Sequence, residues 1–121
     1  MRCTFRSESS LGELKALDPA ALVLVQFCDA PRAAPSADRL RDEARSGRLY
    51  PGQGELPLHE FFDALPPGYL IDIEAPCAAD AALPAEAKAR NAAAAMAAFL
   101  AEHASIRENA GNRKGRHDAA R

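Results

Sequence analysis

Apolar positions along the chain recur in short runs whose spacing predicts alternating helices and strands. Leu11, Leu14 and Leu17 fall on one side of a short helix. Ser10 and Glu13 have the spacing of a capping box at its start, and Asp18-Pro19 ends it, because the residue before a proline is pushed out of the α region. Leu22–Cys28 is a continuous apolar run apart from Gln26, and predicts a strand buried on both faces. Alternation sets Leu22, Leu24, Gln26 and Cys28 on one face, and Val23, Val25, Phe27 and Asp29 on the other. A helix capped by Ser36 is expected through Ala44, with Gly47 as its stop and its many charges in water. The turn Pro51-Gly52-Gln53-Gly54 follows. A second helix over Leu56–Leu65 carries Leu58, Phe61, Phe62 and Leu65 on one face, and Pro66-Pro67-Gly68 stops it. Tyr69–Glu74 is the second strand, with Leu70, Asp72 and Glu74 together opposite Tyr69, Ile71 and Ile73. Pro84 suits the first position of a long helix to about Ala104, striped by Met96, Phe99, Leu100 and His103. The polar segment from Ser105 predicts a disordered tail.

Strands alternating with helices read as α/β with parallel pairing. Two strands do not make a self-sufficient parallel sheet, so the pattern is that of a piece of a larger fold. The length, 121 residues, suits one small domain, and the 48% apolar content is ordinary but rich in alanine. A formal charge of -2 argues against general nucleic-acid binding. No secretory signal or bilayer-length apolar run is visible, and the three cysteines lack CxxC spacing, so a reduced, cytoplasmic chain is expected. GxGxxG, P-loop and GxSxG motifs are absent from the sequence, which leaves dinucleotide, Walker-type and α/β-hydrolase chemistry without support.

Three segments, VQFCDAP, EARSGRLYPGQGELPL and YLIDIEAP, carry a resemblance across roughly residues 6–101. Together they resemble the C-terminal portion of the sugar phosphate isomerase/epimerase family, which has a xylose isomerase-like (β/α)8 barrel. The resemblance implies a partial TIM barrel over residues 1–104, holding only the C-terminal βα units, with the polar composition marking residues 105–121 as the tail. It implies a divalent metal, Mn or Mg, at the C-terminal mouth of the barrel, where such active sites sit. Glu74 matches the family's last Glu ligand and would take part in catalysis. Gln26 falls where many members carry a His ligand; its carbonyl oxygen suits a hard cation but gives up the imidazole. Asp29 and Arg48 match positions near a sugar or sugar phosphate substrate. The chemistry implied for a complete relative is metal-assisted proton transfer next to a sugar carbonyl. The strands that supply the remaining ligands are absent from this sequence, so this chain reads as a truncated or fragmentary form with an incomplete site.

Each of these residues has a plainer reading. Glu74 suits a strand-end acid in water, and Gln26 an amide hydrogen-bonded inside a barrel. Arg48 suits a solvated partner of Asp42 or Glu43, and Asp72 an internal hydrogen-bonding group. His59 reads as a surface histidine, and no metal-ligand spacing links it to His103 or His117. The competing functional reading is a non-catalytic module that docks on a barrel-completing partner or forms a homo-oligomer through bare strand edges. A phosphoester hydrolase of the endonuclease IV type ranks below both, because the strand ends offer no histidine.

Overall fold

A computed structural model describes residues 4–7 and 10–118, with side chains through residue 113. Cys3 and the basic side chains of Lys114, Arg116 and Arg121 lie outside the described residues. The protein is mixed α/β, mostly helical, around a two-stranded parallel sheet. Strand β1 (Leu24–Phe27) pairs with β2 (Leu70–Ile73) in the register Leu24 with Leu70 through Phe27 with Ile73. Helices α1 (Leu11–Lys15), α2 (Leu40–Ser46), α3 (Leu58–Ala64) and α4 (Ala85–Asp118) complete the fold.

Local chemistry sets the element ends. At the start of α1, Ser10 Oγ accepts from the Glu13 N–H, and the Glu13 carboxylate accepts from the Ser10 N–H, which is the predicted capping box. Asp18 then accepts from the Ala20 N–H and opens a 3-10 turn over Pro19–Ala21. Leu22 closes that turn, which is why β1 begins at Leu24 rather than at Leu22. Ser36 makes no side-chain cap; a 3-10 turn over Ala37–Arg39 leads into α2 instead. Gly47 does end α2, at φ -105, by pairing with Cys77 in a short antiparallel bridge.

The core lies on one side of the sheet. Val25 and Phe27 of β1 meet Leu58 and Phe61 of α3 and Met96 and Phe99 of α4. Phe27 is the hub, edge-on to Phe61 at 5.4 Å and to Phe62 at 6.0 Å, with Phe99 at 6.1 Å. Burying an aromatic side chain of this size contributes on the order of 1.5–3 kcal/mol, with more from ring geometry.

The other side is uncovered, which corrects the expectation that β1 is buried on both faces. Leu24 is 49% exposed and Leu70 68%. Within β1 and just past it alternation holds, with Val25, Phe27 and Asp29 buried, Leu24 exposed and Gln26 half-buried; Val23, expected on the buried face, precedes the strand and is 69% exposed. What differs is the number of layers, since all the helix packing recorded for the core falls on the Val25–Phe27 side.

The last helix also departs from expectation. It runs to Asp118, through the segment predicted as a disordered tail. No proline follows Pro84, and glutamate, arginine and alanine, all good helix formers, continue past Ala104. Arg107 ties this extension to α3 through Asp63, at 2.9 Å. Among the described residues no helix is long and apolar enough to cross a membrane.

Candidate functional site

The four residues singled out from the sequence cluster near the C-terminal ends of the two strands, but they are engaged in different ways. Asp29, two residues past β1, is 1% exposed. Its Oδ1 accepts from the N–H groups of Ala30 and Leu56, and its Oδ2 from those of Gly52 and Gly54, at 2.8–3.1 Å. Backbone pairing with Leu49 in both directions fixes Asp29 itself. The carboxylate therefore organises the PGQGEL turn. Gly52 supplies the positive φ, 83°, that the turn requires. Gly54 is needed for a different reason: a Cβ there would strike the Asp29 carboxylate and lie 2.6 Å from the Ala30 oxygen.

Arg48 is 6% exposed rather than solvated. Its Nη1 lies 2.6 Å from Glu43 Oε1, without the alignment of a hydrogen bond. Arg6 approaches the same carboxylate from the N-terminal segment, through Nε at 3.1 Å and Nη2 at 3.2 Å, and also donates to the Pro31 oxygen. One carboxylate thus sits between two guanidinium groups, all at 10% side-chain exposure or less. Burying three charges is tolerable only when they pair this closely. The predicted neighbourhood of Glu43 is present; the predicted solvation is not.

Gln26 and Asp72 are register partners on the open face, and Gln26 Nε2 donates to Asp72 Oδ2 at 3.1 Å. Glu74 follows β2, its N–H bonded to the Phe27 oxygen, and its exposed carboxylate has no partner among the described residues. Gln26, Asp72 and Glu74 offer oxygen donors of the hard type that Mg²⁺ and Mn²⁺ prefer. They do not close a cage: among the described residues no group of three or more His, Cys, Asp or Glu side chains is placed to hold a metal ion.

A cavity of about 390 Å³ opens beside the end of β2, on the helix-covered side. Tyr50, Ile73, Cys77, Asp80 and Lys88 line it, and none of Gln26, Asp29, Arg48 or Glu74 does. Tyr50 donates its hydroxyl proton to Asp80 at 3.0 Å. Burial pushes the Tyr50 hydroxyl pKa above the usual value near 10, and the Asp80 carboxylate pushes it further.

Sequence reasoning missed the meeting of His59 and His103, whose Nδ1 atoms lie 3.1 Å apart across α3 and α4. His59 is half-buried and His103 is 5% exposed, so neither is a plain surface histidine. Spacing within either helix does not signal this, because the ion pairs run between the helices, from His103 and Arg107 of α4 to Asp63 of α3.

No protein-family model matches the chain, and no curated protein or solved structure matches it significantly.

Proposed function

We propose that the chain supplies the C-terminal βα units of a sugar phosphate isomerase/epimerase-like (β/α)8 barrel. The observation that carries this reading is the open face of the parallel pair. Leu24, Gln26, Leu70 and Asp72 share it, Glu74 follows at its C-terminal end, and the helices lie behind. Parallel strands are ordinarily covered on both faces, and in a barrel the second face is the packed interior. An isolated two-stranded sheet with large apolar side chains in water lacks that cover.

In this reading Glu74 contributes a carboxylate at the mouth of the barrel, where substrate and catalytic groups gather. Gln26 and Asp72 hold each other beside it. Asp29 fixes the turn that borders the mouth, and Arg48 with Arg6 fixes α2 against it. A divalent cation, when bound, supplies polarisation of the sugar carbonyl. The remaining donors and the paired base come from outside this chain, and the substrate class is a sugar or sugar phosphate.

The test has two parts. The coding DNA upstream of Met1 is read for an in-frame strand-ending Glu and an Asp-x-x-His strand. The longest product is then titrated with Mn²⁺ by calorimetry, as wild type and as Glu74→Gln. Binding weakened about tenfold or more by the substitution supports the assignment. Equal Mn²⁺ affinity in both proteins removes Glu74 from the site.

The second reading, a non-catalytic module, is favoured by the same exposed Leu24 and Leu70 when no upstream strands exist. Size exclusion then decides it: self-association that Leu70→Asp abolishes supports docking through this face, and a compact monomer that unfolds cooperatively counts against both readings.

A further inference from the structure

The contact between α3 and α4 is made partly by two imidazoles meeting nitrogen to nitrogen. The Nδ1 atoms of His59 and His103 are 3.1 Å apart, the ring centroids 5.3 Å, and the planes differ by 14°. That combination is what two nearly coplanar rings give when they touch through one nitrogen each. The outer nitrogens face carboxylates: His103 Nε2 lies 3.3 Å from Asp63 Oδ1, and His59 Nε2 lies 3.8 Å from Glu102 Oε2. Aromatic rings enclose the pair, with Phe99 stacked on His59 at 4.6 Å and Phe62 edge-on to His103 at 4.8 Å.

We propose that His59 and His103 form a proton-sharing latch between α3 and α4, closed by one proton held between the two Nδ1 atoms and opened by a second. The proton count follows from the partners. An Nδ1···Nδ1 contact at hydrogen-bond distance needs one proton, donated by one ring and accepted by the other. His103 Nε2, facing Asp63 at 3.3 Å, keeps its own proton, whereas His59 Nε2 at 3.8 Å from Glu102 is beyond hydrogen-bond reach. Two protons on four nitrogens satisfy these contacts with both rings neutral. The charged groups that face the pair are Asp63 on α3 and Glu102 on α4, with Arg107 of α4 bound to Asp63 at 2.9 Å. With both rings neutral, the two carboxylates and one guanidinium leave one net negative charge around the pair. Helix α1, which also packs on α3, places no charged side chain within ion-pair distance of either ring.

A proton added to the accepting Nδ1 sets two N–H donors against each other at the contact, so it enters only as the rings part. The opened or unfolded chain therefore binds more protons than the closed one, and stability falls as pH falls. The segment released is the half of α4 beyond Phe99, which His103 and Arg107 hold to α3.

The full chain, carrying His117→Gln and ¹⁵N-labelled histidine, tests the latch by ring-nitrogen NMR from mildly alkaline to acidic pH. The expected result is that both rings change state together in one step, and that the Nδ1 proton signal disappears in that step. Rings that titrate separately overturn the proposal. Thermal unfolding over the same range compares wild type with His59→Phe, which keeps a ring against Phe99 but cannot share a proton. A Tm that falls with pH in the wild type and loses that step in the variant supports the latch. Equal pH slopes overturn it, and so does a Tm raised by Zn²⁺ in the wild type alone, which would reassign the pair to metal binding. None of these outcomes depends on the barrel reading.

Discussion

The two faces of the sheet are built from neighbouring residues of the same strands, yet they face opposite environments. On the covered face Val25, Phe27 and Asp29 are buried, and each is fully engaged by rings or by backbone donors. On the open face Leu24 and Leu70 stand in water, Gln26 donates to Asp72, and the exposed Glu74 carboxylate has no partner among the described residues. The covered face explains how the chain folds. The open face presents Leu24, Leu70 and the Glu74 carboxylate without cover from the described residues, and that is the face the functional reading draws on. The contrast between Asp29 and Glu74 makes the same point at single-residue scale. Both are acids at strand C-terminal ends; one is consumed by four N–H groups and the other remains available.

The contrast can be broken most strongly at Phe27. Phe27→Ala should cost about 3–5 kcal/mol in urea unfolding, whereas Leu70→Ala on the open face should stay within about 0.5 kcal/mol. Similar costs for both would mean that the open face is covered in solution. The next largest effect is expected at the Asp29 turn. Asp29→Ala strands several buried N–H groups and should lose about 2–4 kcal/mol, and Gly54→Ala about 1–3 kcal/mol through the backbone shift it forces. Both are read from urea midpoints at unchanged slope; Glu74→Ala, by contrast, should leave the midpoint in place.

The smallest effect sharpens the covered side alone. The Tyr50 hydroxyl pKa is raised by burial first and by Asp80 second. The folded state therefore holds this proton more tightly than the unfolded chain does. Its contribution is complete below about pH 10 and is lost as pH rises above that toward the folded value. Alkaline unfolding of the wild type should steepen above pH 10, and Tyr50→Phe should remove that increment. An unchanged alkaline slope would place the hydroxyl in water.

Much of this fold was legible in local pattern. The capping box at Ser10 and Glu13, the strand alternation, the Gly52 turn and the stripe of Met96, Phe99 and His103 depend on residues close in sequence, and local sterics and hydrogen bonding decide them. The two-residue period gave the inward and outward sides of β1, from Leu24 to Phe27, but not the exposure of Val23 and Ile71, which depends on how far the helices reach over the covered face. The length of α4 was not legible either, because polar composition reads as a tail whether or not a neighbour such as Asp63 pins it.

What the sequence by itself determined is therefore the alternation of helices and strands and which side chains share a strand face. Tertiary structure alone decided which of those faces is covered, that Asp29 spends its carboxylate on a turn some 25 residues away, that Glu43 is held by both Arg6 and Arg48, and that His59 meets His103. The physical reason is that periodicity records how a residue is oriented on its own element. Whether an acid is free, or an imidazole shares its proton, depends on groups brought together from distant positions, and one strand of sequence carries no measure of that distance.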